Sequence, residues 1–388
     1  MASPLLPIFL TVLVDVLGMT LIFPLLPFYA EHYGATPLVV GALSASFAVC
    51  QLISGPILGR WSDRIGRKPV LVVSQVGTLL GFVVLAWAPS LPFLFLGRIL
   101  DGLTAGNLTI AQAYISDVTK PEQRTKAFAL IGIAFGLGFL VGPAASGWLA
   151  AHHGYAAPAW GAAGLALLSI LTTTLILPHR PPTAPGPSRN FAFGKFFARP
   201  LPKKRLLEMF AYGLSFFTIT GGLGLYLERQ MGYDVEHTGY VYAFSGLVGA
   251  LVQGGPIGKL AKRFGEEKLS LFAFATMALG YGLLGGVFGL GMLLVLVAVA
   301  GVGSALGRPS LTTLLTKAVG PEEQGAILGT SQSLMGVAQI IGPLLAGFLI
   351  GHRLLWAYGL AAAAFSLLGA GLRVLLSDGE PQLKAAPG

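Results

Sequence analysis

Four ionisable residues sit inside apolar runs where charge is expensive: Asp15, Arg98, Asp101 and Arg308. At the centre of a membrane helix such a group costs about 2.5–3.5 kcal/mol on insertion scales, so its presence asks for a role. Arg98 and Asp101 are three residues apart and share one face of a helix. Gln112 falls on that face if the helix continues unbroken, and Asn107 lies at least about a third of a turn off it. Asp101 is pulled two ways, since desolvation opposes its charge and the neighbouring guanidinium supports it. A conformational change or an arriving substrate could then release or capture a proton; a static, self-neutralising ion pair is the alternative. Asp15 has no charged residue within its own run, and on its helical face only Thr11 carries a hydroxyl. One neutral donor offsets little of the cost of burying a charge. Asp15 reads as a proton carrier, or as a structural carboxyl bonded to Thr11 or to another helix. Arg308, just before Pro309, could meet an anionic or zwitterionic group in a cavity, or extend to the nearer membrane surface.

The elements that must hold these groups follow from composition. Of 388 residues, 54% are hydrophobic and 11% charged, too few polar side chains to cover so apolar a core unless lipid covers it. Apolar stretches near 5–30, 38–59, 69–88, 92–115, 126–151, 157–178, 206–228, 238–260, 268–288, 291–315, 325–350 and 354–376 are each long enough to cross a ~30 Å hydrocarbon layer as a helix. The expected fold is all-α, a polytopic membrane protein of twelve transmembrane helices. With the N-terminus inside, all but four of the 25 Lys and Arg fall in cytoplasmic segments or at inner helix ends. That asymmetry orients the chain with both termini cytoplasmic and accounts for the net charge of +9 without nucleic acid as a partner. The start has no basic segment before its apolar run and reads as an uncleaved first span. The single cysteine, Cys50, excludes an internal disulfide and a cysteine-cluster metal site. None of the six histidines lies deep in a span, and H-E-x-x-H, G-x-S-x-G and P-loop patterns are absent, so neither an enzyme nor a metal site is expected.

Residues 179–205 hold seven Lys or Arg, no acid and many prolines. They read as a cytoplasmic linker, either solvated or lying along the anionic inner leaflet through "NFAFGKFFARPL". On either side the chain repeats with an offset of about 200. Gly55-Pro56 matches Gly255-Pro256, the spacing from Gly59 to Gly66 matches that from Gly258 to Gly265, Pro121-Glu122 matches Pro321-Glu322, and Gly142, Pro143 and Gly147 match Gly342, Pro343 and Gly347. The division is therefore an N-terminal six-helix bundle (1–178), the linker, a C-terminal six-helix bundle (206–377) and a tail (378–388). Two similar bundles can enclose a cavity at the membrane midplane and open it to alternate sides by rocking.

"GRWSDRIGRK" (59–68) concentrates charge in one bend. Gly59 would allow close helix approach, Gly66 a tight turn, and Asp63 an anion for a helix N-terminus. Asp117 is the candidate partner of Arg67, while Arg60 and Lys68 read as setting topology only. The string resembles the signature between spans 2 and 3 of the major facilitator superfamily. The resemblance implies that Asp63 sits against the start of span 11, near Gly325, and that with Arg64 and Arg67 bound to acids it latches the cytoplasmic side; topology alone is the alternative. Lys262 stands where the repeat would place Asp63, so one latch of this type is expected.

"DVLGMTLIFPLLPFY" (15–29) and "GRILDGLTAGN" (97–107) resemble spans 1 and 4 of tetracycline-type drug:proton antiporters, where the arginine matched by Arg98 is linked to proton transfer. "GLGFLVGPAASG" (136–147) resembles their span 5 signature through Gly138, Gly142, Pro143 and Gly147, with Ser146 in place of a glycine. What this implies is proton-coupled efflux of an amphiphilic small molecule from a bacterial inner membrane by a monomer, powered by the proton gradient without a cofactor. A lipid-like or glycolipid substrate, or uncoupled facilitation of a metabolite, are the alternatives. Asp63→Asn should shift the population towards forms open to the cytoplasm, seen as longer distances between spin labels across that side. An unchanged distance distribution would exclude the latch.

Overall fold

The computed structural model describes residues 5–119, 124–178, 193–255 and 257–375, and every regular element among them is helical. The first half contains α1 (Leu5–Ile22), α2 (Leu25–His32), α3 (Pro37–Ile65), α4 (Arg67–Ala86), α5 (Leu91–Leu103), α6 (Asn107–Val118), α7 (Arg124–His153) and α8 (Ala156–Leu175). After the short α9 (Phe193–Phe197) come α10 (Pro200–Met231), α11 (Val235–Gly254), α12 (Ile257–Gly282), α13 (Leu290–Lys317), α14 (Gln324–Gly351) and α15 (Leu355–Leu375). Among the described residues nine helices are long and apolar enough to cross a membrane, ten if the bent pair α1–α2 counts as one. The two further expected spans fall on the broken pair α5–α6 and on α11, whose first turns carry Glu236 and His237.

Both breaks have local causes. Pro24 lacks an N–H, and the chain bends by 41° between α1 and α2. The carbonyl of Leu21, in the last turn of α1, accepts from the buried Ser146 hydroxyl of α7 at 2.5 Å. The serine that departs from the glycine pattern thus satisfies a helix end. Between α5 and α6 the Ser74 hydroxyl of α4 donates to the Thr104 carbonyl and accepts from the Gly106 N–H at 3.0 Å. Irregular backbone at membrane depth needs such substitutes, because lipid offers none.

Within the first half α1 packs on α7 and α8, and α4 on α5 and α8; within the second, α10 packs on α13, α14 and α15, and α12 on α13 and α15. The main joints between halves are α3 with α14 and α7 with α11. Glycines make them close: a Cβ on Gly147 would meet the Val235 carbonyl oxygen of α11 at 2.8 Å, and one on Gly347 would collide with the Pro37 carbonyl of α3. Likewise Gly142 abuts Thr20 of α1, and Gly342 abuts Phe217 of α10. Equivalent glycines face equivalent helices, as duplication requires.

The helix opening the second half starts at Pro200, inside the expected linker. Pro200 and Pro202 occupy its first turn, where a missing N–H leaves nothing unsatisfied. Phe196 of α9 is fully buried against Leu206, Leu315 and Ile327, which docks this part of the linker on the second half. Residues 179–192, the landmarks Pro121, Glu122 and Pro256, and the tail 378–388 lie outside the described residues.

The end bearing the 59–68 bend is called the basic end below. At the opposite end the halves meet through Glu31 and Arg229 (2.5 Å) and through Phe23, edge-on to Tyr242 at 5.4 Å between centroids. Towards the basic end, a Cβ on Gly59, Gly325 or Gly329 would meet nothing within 4 Å. The two bundles are in contact at the end opposite the basic one. Ser74→Ala would leave the Gly106 N–H and the Thr104 carbonyl bonded only to each other, at 2.7 Å, at a cost of about 0.5–1.5 kcal/mol for each bond lost. The expected outcome is a lower unfolding temperature of the detergent-solubilised protein; an unchanged one would mean the break is supported otherwise.

Candidate functional site

Asp15 of α1 points into a polar seam inside the first bundle. Its neighbours are Ser169 of α8, Gln75 of α4 and Asn107 of α6, with Asp101 within electrostatic reach. Thr11, the partner expected from the sequence, is engaged elsewhere: its hydroxyl and that of Thr173 are 3.3 Å apart. Gln75 donates to Ser169 Oγ at 2.7 Å and to Thr173 Oγ1 at 2.9 Å, tying α4 to α8 beside the carboxylate. The oxygens of Gln75 and Asn107 are buried with no hydrogen-bond partner among the described residues. Gln75 and Ser169 were missed in the sequence, although each is a polar residue in mid-span and gave that much signal.

Arg98 and Asp101 meet as expected, Nη1 to Oδ2 at 2.9 Å, both nearly shielded from solvent. Arg98 also lies over the Phe47 ring, 4.1 Å from its centroid, and its Nε has no hydrogen-bond partner among the described residues. Thr78 of α4 is a further neighbour of Asp101. A Cβ on Gly81 would come within 2.9 Å of Asp101 Cβ, so the glycine lets α4 close over the pair. The face shared by Asp101 and Gln112 was counted along a continuous helix, whereas the helix is broken at 104–106. Gln112 is half-buried on α6, while Asn107, placed off the face by that count, is the residue beside Asp15. Arg308 is exposed, on α13.

Two antiporter-pattern glycines fit the same bundle together: a Cβ on Gly138 would meet Val16 Cγ1 at 2.5 Å, and Gly142 abuts Thr20, both just after Asp15 on α1. Pro143 and Gly147 instead face α11 in the other half, where the Pro143 carbonyl is close against Gly239.

At the basic end Gly66 turns the chain with φ 101°. Arg67 reaches Asp63 (2.5 Å), Asp117 (2.9 Å) and Ser62 Oγ (2.8 Å) at once. Asp63 is held by Arg67, and among the described residues it makes no bond to the start of α14. Arg64 is exposed and has no carboxylate partner among the described residues, contrary to expectation. Gly59 has no close neighbour either, so its expected tight packing is not made in this form. Lys68 does more than set topology: its Nζ donates to the carbonyls of Thr174 (2.9 Å) and Leu177 (2.7 Å), where α8 ends.

The second half repeats this arrangement with its charges reversed. Gly265 turns with φ 77°, and Glu266 after it pairs with Lys317 at 3.1 Å, as Arg67 after Gly66 pairs with Asp117. Glu267 stands where Lys68 does and takes Arg205 (3.4 Å) and Arg373 (3.1 Å). Those arginines also flank Glu208, fully buried, at 3.1 and 3.4 Å. Lys262 stands in place of Asp63 beside these inverted pairs, while Lys259 and Arg263 keep the sign of Arg60 and Arg64. Near the start of α14, Glu323 is held by Lys195 and Arg199, each at 2.7 Å.

The profile of the Major Facilitator Superfamily matches residues 8–257 and 254–388. The tetracycline resistance protein, class C, of Escherichia coli is 31% identical over 351 residues, 86% of each chain. Multidrug resistance protein 2 of Bacillus subtilis (strain 168) is 26% identical over 378 residues, 95% of this chain and 93% of its own. The crystal structure of the nucleoside transporter NupG superposes with a TM-score of 0.76 at 15% identity, over 97% of this chain and 100% of that one; this likeness is one of fold.

Arg67→Glu would strand Asp63 and Asp117 together and should lower the unfolding temperature clearly, with Arg67→Glu/Asp117→Arg recovering part of the loss. Glu266→Lys breaks a more exposed pair and should cost under about 1 kcal/mol. Thermal unfolding of the purified variants measures both, and equal losses would contradict the difference in burial.

Proposed function

The chain belongs to the Major Facilitator Superfamily, a family of transporters, and from that membership we propose that it exports an amphiphilic small molecule, such as a drug of the tetracycline kind, in exchange for protons. The observation that carries this reading is the enclosed seam of Asp15, Asp101 and Arg98 with the amides of Gln75 and Asn107. A carboxyl that takes a proton becomes a donor, and the two amide oxygens without partners are acceptors waiting for one. Arg98 holds Asp101 and competes with that proton. The seam therefore has two electrostatic states, which is what coupling to a gradient needs.

On this reading the basic end is cytoplasmic, both termini lie inside, and the membrane is the inner membrane of a bacterium. The chain acts as a monomer and draws on the proton gradient without a cofactor. Substrate enters from the basic end into a chamber bordered by Asn107, Gln112 and Arg308. Closure brings Asp63 towards the start of α14, with Gly59, Arg64, Gly66, Arg67 and Asp117 forming the gate, while Gly138, Gly142, Pro143 and Gly147 keep α7 close to its neighbours throughout.

Reconstituted in proteoliposomes with an imposed pH gradient, the protein should accumulate tetracycline against its gradient. Asp15→Asn or Asp101→Asn should abolish that accumulation while leaving the protein folded, with Asp101→Asn lowering the unfolding temperature because it strips the buried Arg98 of its partner. Accumulation persisting in both variants would remove proton coupling and leave a facilitator.

A further inference from the structure

At the end opposite the basic one, three charged side chains cross the joint between the halves. Arg229, near the end of α10, reaches Glu31 of α2 at 2.5 Å and its own neighbour Glu228 at 2.8 Å. The carboxyls of Glu31 and Glu228, one on each half, lie within hydrogen-bond reach of one another. Two carboxylates about one guanidinium leave a surplus negative charge. Glu228 Oε2, although beside Arg229, is buried and accepts no hydrogen bond among the described residues. A protonated Glu31 would donate that bond and cancel the surplus charge at once. Water reaches the place, since a cavity of about 580 Å³ is lined by Glu228 and the exposed Asp234, with Phe28 and Tyr155 on its first-half side.

Glu31 follows the apolar stretch 5–30, beyond its last residue. Burial, and then the carboxyl of Glu228, push its own carboxyl up to about 7, against the pull of Arg229. Glu228 and Arg229 are the charges that act on it. Of the helices packed against α2, α1 carries Asp15 at mid-helix, and α3 carries Arg60, Asp63 and Arg64 at the basic end. α7 ends in His152 and His153, whose rings face Trp148. His32 packs against the rings of Tyr33 and Tyr155. Asp234, across the cavity, is held by His237 at 2.7 Å.

We infer that Glu31 and Glu228 form a proton-binding site shared between the halves, separate from the Asp15 seam, and that the proton they share holds this end closed. When the halves part, Glu31 enters water and Glu228 is withdrawn, so the Glu31 carboxyl returns towards its ordinary value of 4.5. The closed form therefore binds the proton more tightly than the open one. Its advantage is complete below about 4.5 and is lost as the pH rises to about 7. A proton taken up on closing leaves to the same side on opening. It biases the exchange between the two forms without being carried across the membrane, which sets it apart from a coupling proton.

The test is the distance between spin labels on His153→Cys and His352→Cys, exposed positions at the ends of α7 and α14. It is measured on the full chain with Cys50→Ser, in lipid nanodiscs, with neither substrate nor pH gradient. From about pH 5 to about pH 8 the ratio of long to short distances should rise, by up to about tenfold per unit while one proton is released, and then level off. Glu31→Gln, neutral at every pH, should keep the short distance throughout, which separates Glu31 from the nearby histidines. Glu228→Gln should move the response to lower pH, because Glu31 then faces Arg229 without a rival carboxylate. Asp15→Asn should leave the response intact. A distance indifferent to pH, a response that persists in Glu31→Gln, one unmoved in Glu228→Gln, or one lost in Asp15→Asn would overturn the assignment. Since no gradient and no substrate are used, proton-driven export can fail while this site stands, and the reverse.

Discussion

Hydrocarbon offers no hydrogen bonds, and this constraint shapes every unusual feature of the chain. A buried polar atom must find its partner inside the protein or leave the cost in place. Where the helices break, a hydroxyl from a neighbour fills in: Ser74 for the gap between α5 and α6, Ser146 for the end of α1. Tyrosine hydroxyls do the same work in the second bundle, as with Tyr358 on the Ile219 carbonyl. Against that background of matched groups, the unmatched oxygens of Gln75 and Asn107 beside Asp15 stand out as a place where the bonding pattern is left incomplete.

The same constraint explains the division between the bundles. The first concentrates its deep charge in a seam whose members come from α1, α4, α5, α6 and α8, so a change in the packing of any of these helices alters the balance at Asp15 and Asp101. The second keeps its buried charge near the basic end, around Glu208, and leaves its middle to aromatic rings. Breaking a buried ionic cluster by removing one partner typically costs about 3–5 kcal/mol. The Glu208 cluster accordingly fastens α10, α12 and α15 into a rigid unit, which a bundle that moves as a body requires.

Much of this was legible in the chain. Hydropathy located the helices, the matched glycine-proline landmarks gave the duplication, and the spacing of Arg98 and Asp101 gave their contact, because each depends on local periodicity. Contacts that depend on how helices are broken or docked were not legible. A turn count carried Gln112 onto the face of Asp101 across a gap that interrupts the helix, and it put Asn107 a third of a turn off that face although Asn107 borders Asp15. Lys68 looked like a topology marker because its partners, two carbonyls at the end of α8, have no signature in side-chain sequence. The role of α9 was hidden for a similar reason: burial of Phe196 is a tertiary fact.

The reversal of sign between Arg67–Asp117 and Glu266–Lys317 carries a consequence for how such a bend can drift. Each pair closes within its own half, so exchanging both charges at once leaves the local attraction as strong as before. An ancestral bend can thus invert a pair without loosening, provided the two partners change together.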